Sequence, residues 1–156
     1  MKGPLRPPPA GFSPESTIRI DREGRFWHDG QPVTHPGLAR ALASWVDIDE
    51  STGRFILRNT VNWCCVQVDD APLVVVSCRP TESGFHGSLT DGSVEPVDLG
   101  TLWLGEGDVP YCLVREGRIP ARFSQQAAFS LLEHAEPVGD EFFVLGRRLS
   151  RKRGEG

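Results

Sequence analysis

Thr17-Ile18-Arg19-Ile20-Asp21-Arg22-Glu23-Gly24-Arg25-Phe26-Trp27-His28-Asp29-Gly30-Gln31-Pro32-Val33-Thr34-His35-Pro36 opens the folded body of this 156-residue chain. Ile18 and Ile20 alternate with polar residues, which predicts a half-buried strand closed by the turn Asp21 to Gly24. Asp29-Gly30 between Phe26-Trp27-His28 and Gln31-Pro32-Val33 is a strong local hairpin signal, because a tight two-residue turn needs positive φ at both positions. Thr34 or His35 then caps a helix, and Pro36 fits its first turn, where a missing N–H removes no hydrogen bond. Leu38, Ala41, Leu42 and Trp45 recur at helical spacing and predict its apolar face.

The same order returns in the last third. Leu113-Val114-Arg115-Glu116-Gly117 matches Phe26-Trp27-His28-Asp29-Gly30 at an offset of 87 residues, and Phe142 follows Phe55 by the same interval. Ser124 caps a second helix with the apolar face Ala127, Ala128, Leu131 and Leu132. Strand, acidic-glycine turn, strand, helix, polar loop and strand thus occur twice. Two copies are too few for a solenoid and predict two related β-β-α-β-like halves.

Between the copies, Val61 to Val68 and Leu73 to Cys78 are apolar without clean alternation, which predicts central strands covered on both faces. Asp69-Asp70-Ala71-Pro72 is expected to join them as a hairpin loop. Phe85 to Thr90 and Ser93 to Val97 predict a hairpin over Asp91-Gly92, and Leu99 to Leu104 a further strand. The resulting expectation is an α+β protein with a mainly antiparallel, twisted sheet and two principal helices. Its parts are a proline-rich lead-in (1–16, five prolines and two glycines), a body (17–146, with halves of about 17–78 and 79–146) and a basic tail (147–156).

Composition narrows the function classes. Apolar residues form 38% of the chain and charged residues 24%, which fits a globular protein and excludes collagen and wholesale disorder. No apolar run approaches the length of a membrane span, and the opening residues lack the basic-then-apolar order of a secretion signal. The net charge of −4 divides into +4 on residues 147–156, +1 on 1–16 and therefore −9 on the body. An acidic body repels phosphate, so nucleic acid would have to be held by Arg147 to Arg153 alone, and these read as a solvated terminus. Cys64, Cys65, Cys78 and Cys112 form no C-x-x-C pair, so they are expected to be free thiols, suited to a reducing cytoplasm, and not zinc ligands.

Chemical motifs are few. Asp69-Asp70 is an adjacent carboxylate pair, but neighbours on a strand face opposite ways and do not share a proton. Gly105-Glu106-Gly107 reads as a turn, Ser88 and Ser93 have no evident base, and His35, His86 and His134 have no partner at metal-binding spacing. His134 is expected to interact with the dipole at the end of the second helix. No nucleophile elbow, zincin motif or P-loop occurs.

The Ile18-to-Pro32 segment with its Trp27-His28-Asp29-Gly30 turn resembles a bacterial family catalogued as domain of unknown function 1285. So do Val66-Gln67-Val68-Asp69-Asp70-Ala71-Pro72 and Pro110-Tyr111-Cys112-Leu113-Val114-Arg115 with Gly117. The resemblance covers about Ile18 to Leu145, and its most specific part is the Asp-Ala-Pro run. It implies an α+β protein of two related halves, without an established activity and with a ligand-binding or signalling role. The chain departs from that family's pattern at Asp69, where glutamate is usual.

The expected function is a cytoplasmic, non-enzymatic module that binds a small ligand or protein partner where its halves meet, because pockets favour such junctions. The candidate contacts are Trp27, His28, Asp70, Tyr111 and Arg115, with Arg115 for an anionic group. No cofactor or metal is expected in this reading. The alternative is a metal-dependent hydrolase using Asp69 or Asp70, whose hard oxygens suit a divalent ion.

Overall fold

In a computed structural model, residues 5–6 and 14–151 are described, and the chain divides into two compact units at Pro72/Leu73. Most of the lead-in (1–4 and 7–13) and the end of the tail (152–156) lie outside the described residues. The architecture is α+β, as expected, with two α-helices and mostly antiparallel strands among the described residues.

The first unit contains β1 (Ile18–Ile20), β2 (Phe26–His28), β3 (Gln31–Pro32), α1 (Pro36–Ser44), β4 (Val46–Ile48), β5 (Phe55–Arg58), β6 (Trp63–Cys65) and β7 (Gln67–Val68). One sheet runs β3-β2-β1-β7 and another β4-β5-β6. Asp29 (φ 51°) and Gly30 (φ 75°) form the tight turn between β2 and β3. His35 caps α1, its Nδ1 accepting from the Leu38 N–H at 3.1 Å, with Pro36 in the first turn. The buried residues of α1 are Leu42 and Ala43, whereas Leu38 is 48% exposed. Only the later turns of this nine-residue helix rest on the core, so the expected apolar face is displaced.

Two expectations for Val61 to Pro72 are corrected. The apolar run is not one central strand: β6 pairs antiparallel with β5, and after Val66 the chain enters β7, which pairs parallel with β1. Each piece ends its own sheet. Asp69 to Pro72 therefore joins strands of different sheets and is not a hairpin loop.

The second unit contains β8 (Leu73–Pro80), β9 (Phe85–Leu89), β10 (Val94–Pro96), β11 (Trp103–Leu104), β12 (Pro110–Val114) and β13 (Ile119–Phe123). After these come α2 (Gln125–Leu132), β14 (Ala135–Val138), β15 (Glu141–Val144) and β16 (Arg147–Arg148). Its main sheet runs β10-β9-β8-β13-β12-β11, with a parallel pair β8/β13 at the centre and antiparallel pairs elsewhere. The expected strand at Leu99 to Leu104 is mostly a 3-10 turn (Leu99–Thr101), with β11 after it.

Alternation sorts the faces of this sheet. Leu73, Val75, Phe85, Leu89, Cys112, Val114, Ile119, Ala121 and Phe123 are buried, and α2 contributes Ala127 and Leu131 to the core. Gly87 lies in that layer, where a Cβ would come within 3.0 Å of Val75 Cγ1. The β8/β9 register shifts between Val75 and Ser77, beside the start of α2. The Ser124 N–H donates to the Val75 carbonyl (2.9 Å), its hydroxyl donates to the Val76 carbonyl (3.0 Å), and Oγ accepts from the Ala127 N–H (3.1 Å). A single cap residue thus ties helix to bulge.

The first residues of the basic tail are part of the fold. β16 pairs with β15, Leu149 is buried, and Ser150 bridges to Trp103 while accepting from the Leu104 N–H at 2.6 Å. Arg148 pairs with Glu141, and Arg151 pairs with Asp108. His134 lies beyond the end of α2, with its ring edge-on to Phe85 at 5.4 Å.

Candidate functional site

Each residue singled out in the sequence has a definite setting within its own unit. Trp27 stands opposite Arg19 in the β1/β2 register, so both side chains share one face of the sheet. The Arg19 guanidinium lies over the indole, 5.3 Å from its centroid, and donates to Asp69 Oδ2 at 2.5 Å. The indole Nε1–H donates to Asp21 Oδ2 at 2.9 Å. Asp21 also accepts from the backbone N–H groups of Glu23 and Arg25 and from Arg25 Nε. Burial alone would raise the Asp21 pKa, but the bonds from Trp27 and Arg25 outweigh it and hold the carboxyl below its usual value. His28, one residue on, is exposed, with Nε2 3.6 Å from Asp29 Oδ2. Asp70 is half-buried in the connector.

Arg115 begins the turn from β12 to β13, where Arg115, Glu116 and Gly117 all have positive φ (52°, 63° and 76°). Left-handed backbone costs a non-glycine residue about 1–2 kcal/mol, so two such residues in sequence need external support. Glu95 gives it by accepting the Arg115 backbone N–H at 3.1 Å, and Asp91 by accepting from the guanidinium at 2.7 Å. Asp91 Oδ1 also accepts the N–H and the hydroxyl of Ser93. Burial raises the Asp91 pKa, and the bonds from Ser93 and Arg115 more than reverse it, leaving the carboxyl below its usual value. This network fastens the β12/β13 turn to the β9/β10 hairpin.

Tyr111 belongs to a different constellation. It stands opposite Trp103 on one side and Arg122 on the other. Directly opposed residues in antiparallel strands share a face, so Trp103, Tyr111 and Arg122 form a row across β11, β12 and β13. The two rings are stacked, with centroids 5.2 Å apart and planes 12° from parallel. Gly105 makes room for the tyrosine: a Cβ there would come within 2.6 Å of Tyr111 Cε1. All three side chains of the row are half-exposed, on the sheet face opposite the one that buries Cys112 and Val114.

Trp27, His28 and Asp70 therefore belong to the first unit, and Tyr111 and Arg115 to the second. Sequence reasoning missed Arg19, Trp103 and Arg122. Arg19 was legible as the polar middle of Ile18-Arg19-Ile20, whereas the Trp103–Tyr111–Arg122 row depends on strand register.

Two thiols of the core are chemically quiet. Burial raises Cys78 to about 11 and Cys112 to about 12, so both are protonated at neutral pH. All four cysteines are free. No group of three or more His, Cys, Asp or Glu side chains is placed to hold a metal among the described residues, and no helix among them is long and apolar enough to cross a membrane.

No protein-family model and no curated protein matches the chain. Among solved structures, a domain-of-unknown-function 1285 protein from Silicibacter pomeroyi superposes with a TM-score of 0.75 at 23% identity, over 97% of this chain and 86% of that one. A second member, from Shewanella baltica, gives a TM-score of 0.62 at 22% identity, over 78% of this chain and 94% of that one. The chain thus has the fold of the domain-of-unknown-function 1285 proteins, and the resemblance first read in its residues holds at the level of the fold.

Proposed function

We propose that this protein is a non-enzymatic binding module with a regulatory role, and that the outer face of β11, β12 and β13 is its recognition surface. The observation that carries the reading is the half-exposed row Trp103–Tyr111–Arg122. Tryptophan, tyrosine and arginine are the residue types that dominate binding energies, because they combine large rigid area with polar or charged tips. Stacked rings beside a guanidinium suit a planar ligand, or partner side chain, that carries an anionic group. Tyr111 is thus the candidate contact retained from the sequence. Arg115 and Trp27 are explained by hydrogen bonds that hold the backbone and sheet of their own units. Their repeated order of hairpin, helix and three-stranded sheet supports an origin by internal duplication.

A thermal-shift screen of aromatic carboxylates and nucleotides tests the reading. Free ligand at 100 times its dissociation constant adds about 2.7 kcal/mol of stability. A genuine ligand is expected to lose at least tenfold in affinity with Arg122→Gln. A library without any stabilising compound, or a ligand indifferent to Arg122→Gln, contradicts the proposal.

A further inference from the structure

The outer edge of β6 carries contacts of a kind seen in peptide recognition. Cys65 turns both of its backbone groups to the N-terminal arm: its N–H donates to the Pro14 carbonyl at 2.7 Å, and its carbonyl accepts from the Ser16 hydroxyl at 2.5 Å. Arg54, just before β5, holds Glu15 through two bonds of 2.7 and 3.1 Å. Farther out, the Trp63 Nε1–H donates to the backbone carbonyl of Arg6 at 2.6 Å. Arg6 stands within Pro4-Leu5-Arg6-Pro7-Pro8-Pro9. An aromatic ring with an indole N–H aimed at a main-chain carbonyl is the chemistry by which grooves grip proline-rich segments, whose carbonyls have no internal partners. An open sheet edge that accepts an added extended segment is the companion mode.

We propose that Trp63 and the outer edge of β6 form a docking strip for proline-rich, arginine-containing extended peptides, and that Arg6 and Pro14 to Ser16 of the protein's own N-terminal arm occupy this strip in cis. The arm is tethered at Pro14, beside the strip, so its local concentration is in the millimolar range and a peptide in trans must compete with it. The occupant is fixed by the residues already seated: Arg6 on Trp63, and Pro14 to Ser16 on Cys65. This strip belongs to the first unit and stands independently of the Trp103–Tyr111–Arg122 face.

The test uses a fluorescently labelled synthetic peptide of residues 1–13 and three full-length proteins. These are the wild type, the triple variant Pro7→Ser, Pro8→Ser, Pro9→Ser, and the same triple variant with Trp63→Phe, which keeps a ring but removes the indole donor. Fluorescence anisotropy is expected to give at least tenfold tighter binding to the triple variant than to the wild type. Adding Trp63→Phe is expected to abolish at least tenfold of that gain. As a readout that needs no tryptophan variant, the Trp63 indole N–H resonance is expected to move between wild type and triple variant and to return when unlabelled peptide is added. Equal binding to all three proteins, no binding to any, or an unmoved Trp63 resonance would overturn the proposal. Equal binding to the first two proteins would equally overturn it, because the arm would then not be the competitor.

Discussion

Ser124 shows how much one side chain can organise: it caps α2 and ties the helix to the β8 bulge through three hydrogen bonds. Ser124→Ala keeps the backbone bond and loses the other two, so it is expected to cost about 1–2 kcal/mol, read from the urea midpoint. Asp21 and Asp91 give the pH dependence its sign. Both are held below the usual carboxylate value in the folded state, so the unfolded chain binds more protons as the solution turns acid. The stability they contribute is complete above the unfolded pKa of about 3.9 and is lost as pH falls through their lower folded values. Asp91→Asn is therefore expected to lower stability at pH 7 and to flatten the acid limb of the stability profile. An unchanged acid limb would contradict the assignment. Cys78 and Cys112 act in the opposite direction. Their pKa values are raised to about 11 and about 12, so their contribution is full below the unfolded thiol value and declines as pH rises through the folded values. Alkylation of the native protein at pH 7.5 is expected to label Cys64, the half-buried thiol, and to spare Cys78 and Cys112 until unfolding.

Among elements, the turn from β12 to β13 is held in left-handed backbone by Glu95 and Asp91, so Arg115 works as a brace. Arg115→Ala is expected to cost roughly 2 kcal/mol, the range of a charged hydrogen bond with little exposure. Gly105 has the matching role for β11 and β12. Gly105→Ala puts a methyl 2.6 Å from the Tyr111 ring, which must shift and so disturb its stacking on Trp103. About 1–3 kcal/mol of destabilisation and a changed near-ultraviolet circular dichroism are expected from that overpacking. Elements defined by local chemistry were legible in the sequence: the Asp29-Gly30 turn, the Ser124 cap, and the β9/β10 hairpin around Asp91-Gly92. Elements defined by the choice of a distant partner were not. Val61 to Val68 reads as one apolar run, yet Cys65 pairs with Ile56 and Val68 pairs with Ile20, in different sheets. Arg147 and Arg148 read as solvated charge, and only their register with Val144 and Phe143 makes them a strand.

At the scale of the whole chain, the α+β class was legible because hairpin, cap and helix signals recur in order, and the solved relatives share that fold. The surface proposed for recognition was less so. Tyr111 was visible as a candidate, but its neighbours Trp103 and Arg122 lie eight and eleven residues away, in strands whose alignment no local pattern fixes. The direct test is a ¹H–¹⁵N titration of the full chain with the strongest aromatic anion found by thermal shift. The Trp103 indole and the amides of residues 103, 111 and 122 are expected to shift together, saturably, and to stay still in Arg122→Gln. Shifts confined to other strands, or a response that survives Arg122→Gln intact, would contradict the assignment of this face.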